Sequence, residues 1–106
     1  MAWEMQEGTA AAHNPLDTEL PLPGSTNFNS VGVQNYISLE QGLQATALTL
    51  AQGAIVFGYG RIVSALAACP PPITTAEAIA ASNWCGICWP TYVVAFLPRA
   101  EAAFGL

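Results

Sequence analysis

The sequence predicts an α+β fold of mostly short helices, with a small irregular sheet or hairpin that lines a cleft. Apolar residues recur at helical spacing in several separate stretches, as is typical of amphipathic helices. Between Asn14 and Tyr36, by contrast, prolines and glycines alternate with amides and hydroxyls, a composition that favours turns and short strands. At 106 residues the chain is long enough for one domain with its own core.

A first helix is predicted over residues 2–7, because Gly8 can adopt the left-handed conformation that ends a helix. This segment has the pattern of the back half of a helix, and no capping residue precedes it. We therefore expect a single domain over residues 1–106 that is truncated at its N-terminus.

A second helix is predicted over residues 39–52, where Ser38 and Gln41 form a capping box. Its apolar residues recur at helical spacing until Gly53: Leu39, Leu43, Ala47 and Leu50. A third, short helix around residues 62–66 must end before the prolines at 70–72.

Thr74 and Glu77 form a second capping box and predict a short helix to about Ala81. The apolar run at residues 92–97 fits either a strand or a helix by its pattern. Pro98 suits the first position of a terminal helix over residues 98–104.

The charge of the chain excludes one class of function. The formal net charge is -5 and the only basic residues are Arg61 and Arg99, whereas neutralising phosphates requires a basic patch. We expect no nucleic-acid partner. Polar residues interrupt every long apolar stretch, so the sequence also predicts no membrane span.

Three cysteines, Cys69, Cys85 and Cys88, leave two principal interpretations open: a disulfide between two of them, or buried thiols. The spacing of Cys85 and Cys88 is that of a redox motif, but no strand-helix pattern of the thioredoxin type flanks it. A zinc site would need a fourth ligand, and His13 is the single histidine, so we expect no metal.

Glu7 stands out because a long run of neutral hydrogen-bonding groups follows it. The negative end of a helix dipole favours the protonated form of a carboxyl group, and a glycosidase needs an acid that can protonate the glycosidic oxygen. Asp17 and Glu19 are the only carboxylates in the loop region, so either could act as a base or nucleophile, and Asp17 is the candidate for the second catalytic carboxylate. The candidates for holding the N-acetyl and hydroxyl groups of a sugar are Asn29, Ser30, Gln34, Asn35 and Tyr36.

Several segments together resemble the lysozyme-like peptidoglycan hydrolase domain of actinobacterial phages and their hosts. They are Trp3 with Glu7-Gly8, Asn14-Pro15-Leu16-x-Thr18, the string from Pro23 to Tyr36, and residues 42–46. The resemblance covers residues 2 to about 66, and Ile79-x-x-Ser82-x-Trp84 is similar to a later segment of the family. Gly32-Val33-Gln34 is similar to the Gly-x-x-Gln type of motif that lines the cleft of lytic transglycosylases.

The resemblance implies a lysozyme-like fold and cleavage of the bacterial cell-wall glycan, with Glu7 as the catalytic acid and no cofactor. It also implies an extracellular or virion-associated location, as in endolysins and tail-associated lysins, where other virion or tail proteins are further candidate partners. Hydrolysis and transglycosylation both remain open.

Five alternatives accompany this interpretation. Glu4, one helical turn earlier, could be the acid instead. The amide-rich segment could cap its own turns, and Tyr59, Trp84 and Trp89 could be core anchors rather than sugar platforms. The chain could also be a non-catalytic structural or wall-binding module of a virion tail, or, on weaker grounds, a cysteine peptidase that pairs Cys85 or Cys88 with His13.

Overall fold

The computed structural model describes residues 1–104, and in this part of the chain short helices accompany a two-stranded sheet. In chain order the elements are α1 (Ala2–Glu7), β1 (Thr26–Asn27), β2 (Gln34–Asn35), α2 (Leu39–Gln52), α3 (Tyr59–Ala68), α4 (Pro72–Ala80), a 3-10 turn (Val94–Phe96) and α5 (Leu97–Phe104). The predicted α+β class is confirmed. Over these residues, no helix is both long enough and apolar enough to cross a membrane.

The chain forms two compact units. The hairpin unit comprises residues 7–49, and the helical unit comprises residues 1–6 together with the chain from Leu50 onward. Glu7 and every other predicted site residue belong to the hairpin unit. The three cysteines belong to the helical unit.

The helical unit is held together by an apolar core. Helix α3 packs against α4, and Ile62 and Ile79 are almost completely buried at their centre together with Tyr59, Tyr92 and Val93. Burial of each such side chain contributes about 1.5–3 kcal/mol, so this core is the main source of stability for the unit.

Helix α3 ends at Ala68, before the three prolines, as predicted. Helix α4 instead begins at Pro72, three residues before the start that a cap at Thr74 implies, and the predicted capping box of Thr74 and Glu77 is wrong. Proline is well suited to the first turn of a helix, because its φ is already helical and its missing N–H has no intrahelical partner there.

In the apolar run at residues 92–97, residues 92–96 form neither a strand nor a regular helix. Val93 has a positive φ of 66°, and the 3-10 turn at Val94–Phe96 leads directly into α5. Helix α5 begins at Leu97, so Pro98 is its second residue rather than its first.

The hairpin unit contains the predicted hairpin. Strands β1 and β2 are antiparallel, with Thr26 opposite Asn35 and Asn27 opposite Gln34. At the start of the loop between them the Phe28 N–H donates to the carbonyl of Val33 at 2.7 Å. This tight pairing orients the polar side chains of both strands.

Helix α2 has the predicted bounds and the predicted N-terminal cap. The Ser38 hydroxyl accepts the Gln41 N–H at 3.1 Å, and the Gln41 side chain accepts the Ile37 N–H at 3.0 Å. Its buried face differs from the apolar pattern, however. Leu39 and Leu43 are 56% and 53% exposed, whereas the small residues Gly42 and Ala45 are buried.

Candidate functional site

Glu7 is the last residue of α1 and its side chain is half-buried. Gly8 follows with a φ of 56°, the left-handed conformation that ends the helix. The structure therefore confirms that Glu7 stands at a helix C-terminus, seven residues before the amide-rich segment begins at Asn14. Glu4 lies one turn earlier, is exposed, and is 3.9 Å from the N-terminal ammonium group.

Asn14 is the centre of a buried hydrogen-bond network in the hairpin unit. Its side chain is only 2% exposed. The amide group donates to the carbonyls of Thr18 at 2.9 Å and Gln34 at 2.8 Å, and its oxygen accepts the Thr18 N–H at 2.9 Å. Asn14 thereby joins the loop at 14–18 to strand β2 through one fully engaged side chain.

Gln34 is the second buried amide of the network. Its Nε2 donates to the side-chain oxygen of Asn27 at 2.7 Å and to the carbonyl of Gly32 at 2.9 Å, and its Oε1 accepts the Ser25 hydroxyl at 2.8 Å. These contacts link both strands to the loop between them. The side chain that the sequence assigned to sugar binding is therefore engaged within the protein.

Tyr36 is similarly buried and similarly engaged. Its hydroxyl donates to the carbonyl of Leu20 at 2.8 Å and lies 3.0 Å from the Thr18 hydroxyl. Burial raises the pKa of the Tyr36 phenol above its ordinary value of 10.0, and the hydrogen bond with Thr18 opposes that shift. A raised pKa means that the folded state favours the neutral phenol.

This shift predicts a pH-dependent stability that the variant Tyr36→Phe lacks. The contribution is fully present below the unfolded-state pKa of about 10 and is lost as the pH rises through the higher folded-state pKa. We expect the wild-type chain to lose stability above about pH 10 more steeply than Tyr36→Phe. Urea denaturation of both proteins between neutral pH and pH 11 measures the difference, and parallel curves would contradict a buried neutral phenol.

The remaining predicted site residues lie nearer the surface. Asn29 and Ser30 are exposed in the hairpin loop, where the Asn29 oxygen accepts the Val33 N–H at 3.1 Å. Asn35 is half-buried, and its oxygen accepts the Ala12 N–H at 2.9 Å. The hairpin thus carries surface amides on a hydrogen-bonded frame.

Asp17 is half-buried in the loop between Asn14 and Thr18, and it has a left-handed φ of 57°. Aspartate tolerates this conformation better than most residues, so the backbone alone gives a reason for an Asx residue at this position. Its predicted role as a second carboxylate stays a prediction.

The helical unit contains an apolar pocket of about 360 Å³ between α1, α3, α4 and α5. Its lining includes Trp3, Leu66, Ile79, Val93 and Leu97. None of the predicted site residues lines this pocket. Its apolar walls suit packing or an apolar ligand better than a hydroxyl-rich sugar.

The aromatic residues divide between core and surface. The Trp84 ring packs edge-on against Trp3 at 4.7 Å and lies 5.3 Å from Tyr59, so these rings belong to the interior of the helical unit. Trp89 is half exposed and packs edge-on against Tyr92 at 5.0 Å. The interpretation of Tyr59 as a core anchor is therefore confirmed, and the half-buried Trp84 packs against that core.

Cys85 and Cys88 form a disulfide, and Cys69 is an exposed free thiol. Neither bonded sulfur can act as the nucleophile of a cysteine peptidase in this state, so the pairing with His13 has no support. Across residues 1–104, no group of three or more histidine, cysteine or acidic side chains could hold a metal ion.

Sequence reasoning placed Asn14 and Thr18 in a recognisable motif but did not assign them a role. Their signal was the Asn-Pro-Leu-x-Thr string, in which an Asx side chain precedes a proline and can bond to the backbone four residues later. Strand β2, which contains the partner Gln34, lies too far along the chain for such a local pattern to predict.

Comparison of the chain with protein-family models, with curated proteins and with solved structures finds no match.

Proposed function

We propose that this chain is a lysozyme-like glycosidase that cleaves the glycan strand of bacterial peptidoglycan, with Glu7 as the general acid. The observation that carries the proposal is the position of Glu7: half-buried, at the end of a helix, and in the same compact unit as the amide-rich hairpin. The motifs from Glu7 to Thr46 that resemble peptidoglycan hydrolases support the same function.

In this proposal the Glu7 carboxyl donates its proton to the glycosidic oxygen as the bond to the anomeric carbon breaks. The leaving sugar departs with a free hydroxyl, and positive charge develops on the ring that remains. Either a water activated by Asp17 or the sugar's own substituent then attacks the anomeric carbon. Asn29, Ser30 and Asn35 hold the glycan through hydrogen bonds.

Gln34 and Tyr36 have a supporting part in this scheme. The polar atoms of both side chains form hydrogen bonds with other groups of the protein. Gln34 and Tyr36 therefore position the hairpin that carries the surface amides. A site built on a fixed frame loses less entropy on binding a flexible polysaccharide than a mobile loop would.

The variant Glu7→Gln tests the proposal. It keeps the size of the side chain but cannot donate an acidic proton, so we expect clearing of actinobacterial cell walls to fall by at least about 100-fold. Turbidity measurements on purified walls give the rate. Glu4→Gln is the matched control, since it removes an exposed carboxylate one helical turn away, and its rate should equal that of the parent.

Two outcomes would count against Glu7 as the acid. If Glu7→Gln clears walls at the parental rate, Glu7 is not the general acid. If only Glu4→Gln loses activity, the general acid is Glu4. Mass spectrometry of the products then separates the two routes, since an anhydro-sugar end shows that the sugar's own hydroxyl completed the reaction.

A second function is favoured by the internal engagement of Gln34 and Tyr36. A non-catalytic wall-binding or structural module of a virion tail needs a rigid polar surface but no proton donor. Such a module would sediment with purified walls and release no glycan fragments, and Glu7→Gln would bind as well as the parent. Fragment release by the parent chain decides between the two functions.

A further inference from the structure

The loop from Cys85 to Cys88 stands at the surface of the helical unit. Cys85 and Gly86 are exposed, and Ile87 is 95% exposed. Gly86 has a left-handed φ of 78°, and apart from the adjacent residues no atom lies within 4 Å of the position that a Cβ would occupy there. Cys85 is therefore the exposed cysteine of the pair, and Gly86 places no side chain beside it.

The two sulfurs differ in their surroundings. Cys88 is half-buried and packs against the apolar core of the helical unit, whereas Cys85 is exposed. The backbone N–H of Cys85 also donates to the sulfur of Cys88 at 3.3 Å. A hydrogen bond of this kind strengthens when the sulfur carries a negative charge, so it favours a thiolate at Cys88.

We propose that Cys85–Cys88 is a thiol-exchange site, at which a low-molecular-weight thiol attacks the sulfur of Cys85. The thiolate of the reagent forms a new S–S bond to Cys85, and the bond to Cys88 breaks with its electron pair on the Cys88 sulfur. A second thiolate then attacks the reagent sulfur of the mixed disulfide and releases Cys85 as a thiolate. Overall two protein thiols form, and two molecules of the reagent are oxidised to its disulfide.

The direction of attack follows from access and from the leaving group. An exchange reaction is faster at an accessible sulfur and when the departing thiolate is stabilised. Cys85 is the exposed cysteine and so the more accessible one. The thiolate that departs is that of Cys88, which the N–H of Cys85 stabilises. The reverse attack would approach the half-buried sulfur and would expel a thiolate that lacks this donor.

Backbone contacts outside the disulfide hold the loop in place during exchange. The Gly86 N–H donates to the carbonyl of Asn83 at 3.0 Å, and the Asn83 N–H donates to the carbonyl of Phe57 at 2.9 Å. Opening the S–S bond leaves both contacts intact. The two thiols therefore stay close, and an oxidised thiol reagent can re-form the disulfide.

The test uses the whole chain with Cys69→Ser, which removes the exposed free thiol so that every signal comes from the pair. The protein is treated with millimolar glutathione without denaturant, quenched with acid after short times, alkylated and sequenced by tandem mass spectrometry. We expect glutathione on Cys85 and the alkyl group on Cys88, with an excess of at least about tenfold over the opposite arrangement. Longer treatment should reduce both cysteines.

Far-ultraviolet circular dichroism of the reduced protein checks that the helices persist, as the backbone contacts predict. A disulfide that stays oxidised without denaturant but is reduced once the chain is unfolded would overturn the proposal, since it would be a structural cross-link. Glutathione found mainly on Cys88, or equally on both cysteines, would overturn the assigned direction. The result is independent of the glycosidase proposal, because the loop belongs to the helical unit and Glu7 belongs to the hairpin unit.

Discussion

Replacing Asn14 with alanine is expected to lower the free energy of unfolding by about 3–5 kcal/mol, because several buried backbone groups lose a partner at once. The Thr18 N–H loses its acceptor, and the carbonyls of Thr18 and Gln34 each lose a donor. Water cannot easily replace these bonds at a site that is only 2% exposed. Urea denaturation followed by circular dichroism measures the loss.

Asn14→Asp separates hydrogen bonding from packing. Aspartate has nearly the same shape, but its carboxylate cannot donate and would face two carbonyl oxygens. We expect it to destabilise the chain at least as much as alanine does. Asn29→Ala is the matched control, since it removes one hydrogen bond at an exposed position of the same unit and should cost about 1 kcal/mol. If Asn14→Asp were as stable as the parent, the network would have no energetic role.

The substitution Gly42→Ala is expected to destabilise the hairpin unit by about 2–4 kcal/mol, although alanine is the better helix former by about 1 kcal/mol. A Cβ at this position would overlap the backbone carbonyl oxygen of His13 and would lie in contact with the ring of Tyr36 at 3.4 Å. A backbone carbonyl cannot rotate away as the end of a side chain can. Helix α2 or the loop before Asn14 must therefore move.

Chemical denaturation also tests this prediction, and hydrogen exchange localises the effect. The Tyr36 N–H, which donates to the carbonyl of Ala12 at 2.9 Å, should exchange faster in Gly42→Ala. Gln44→Ala, at an exposed position of the same helix, should change stability by no more than about 0.5 kcal/mol. A Gly42→Ala protein more stable than its parent would show that α2 does not need the close approach.

Helices that depend on local signals were predicted well from the sequence. Gly8 ends α1, Ser38 and Gln41 cap α2, and the prolines after Cys69 stop α3. Each signal acts through groups within about four residues, so it can be found without knowledge of the fold. The start of α4 was placed incorrectly because two local signals competed, and Pro72 provided the earlier one.

The buried face of α2 could not be predicted in the same way. Leu39 and Leu43 fit an apolar face, yet they are largely exposed and Gly42 is buried. The reason is the close approach of the loop at His13, which leaves room only for a residue without a side chain. A periodic pattern indicates which residues share a face of a helix, but it does not indicate what that face meets.

The candidate site likewise combines features that the sequence predicts with features that only the tertiary structure decides. The sequence by itself determined that the segment from Asn14 to Tyr36 would turn and pair, and that Glu7 would end a helix. The tertiary structure decided that Gln34 and Tyr36 are turned inward while Asn29 and Ser30 stay at the surface. An amide can bond equally well to water, a sugar or a distant carbonyl, and only the pairing of residues twenty positions apart selects among them.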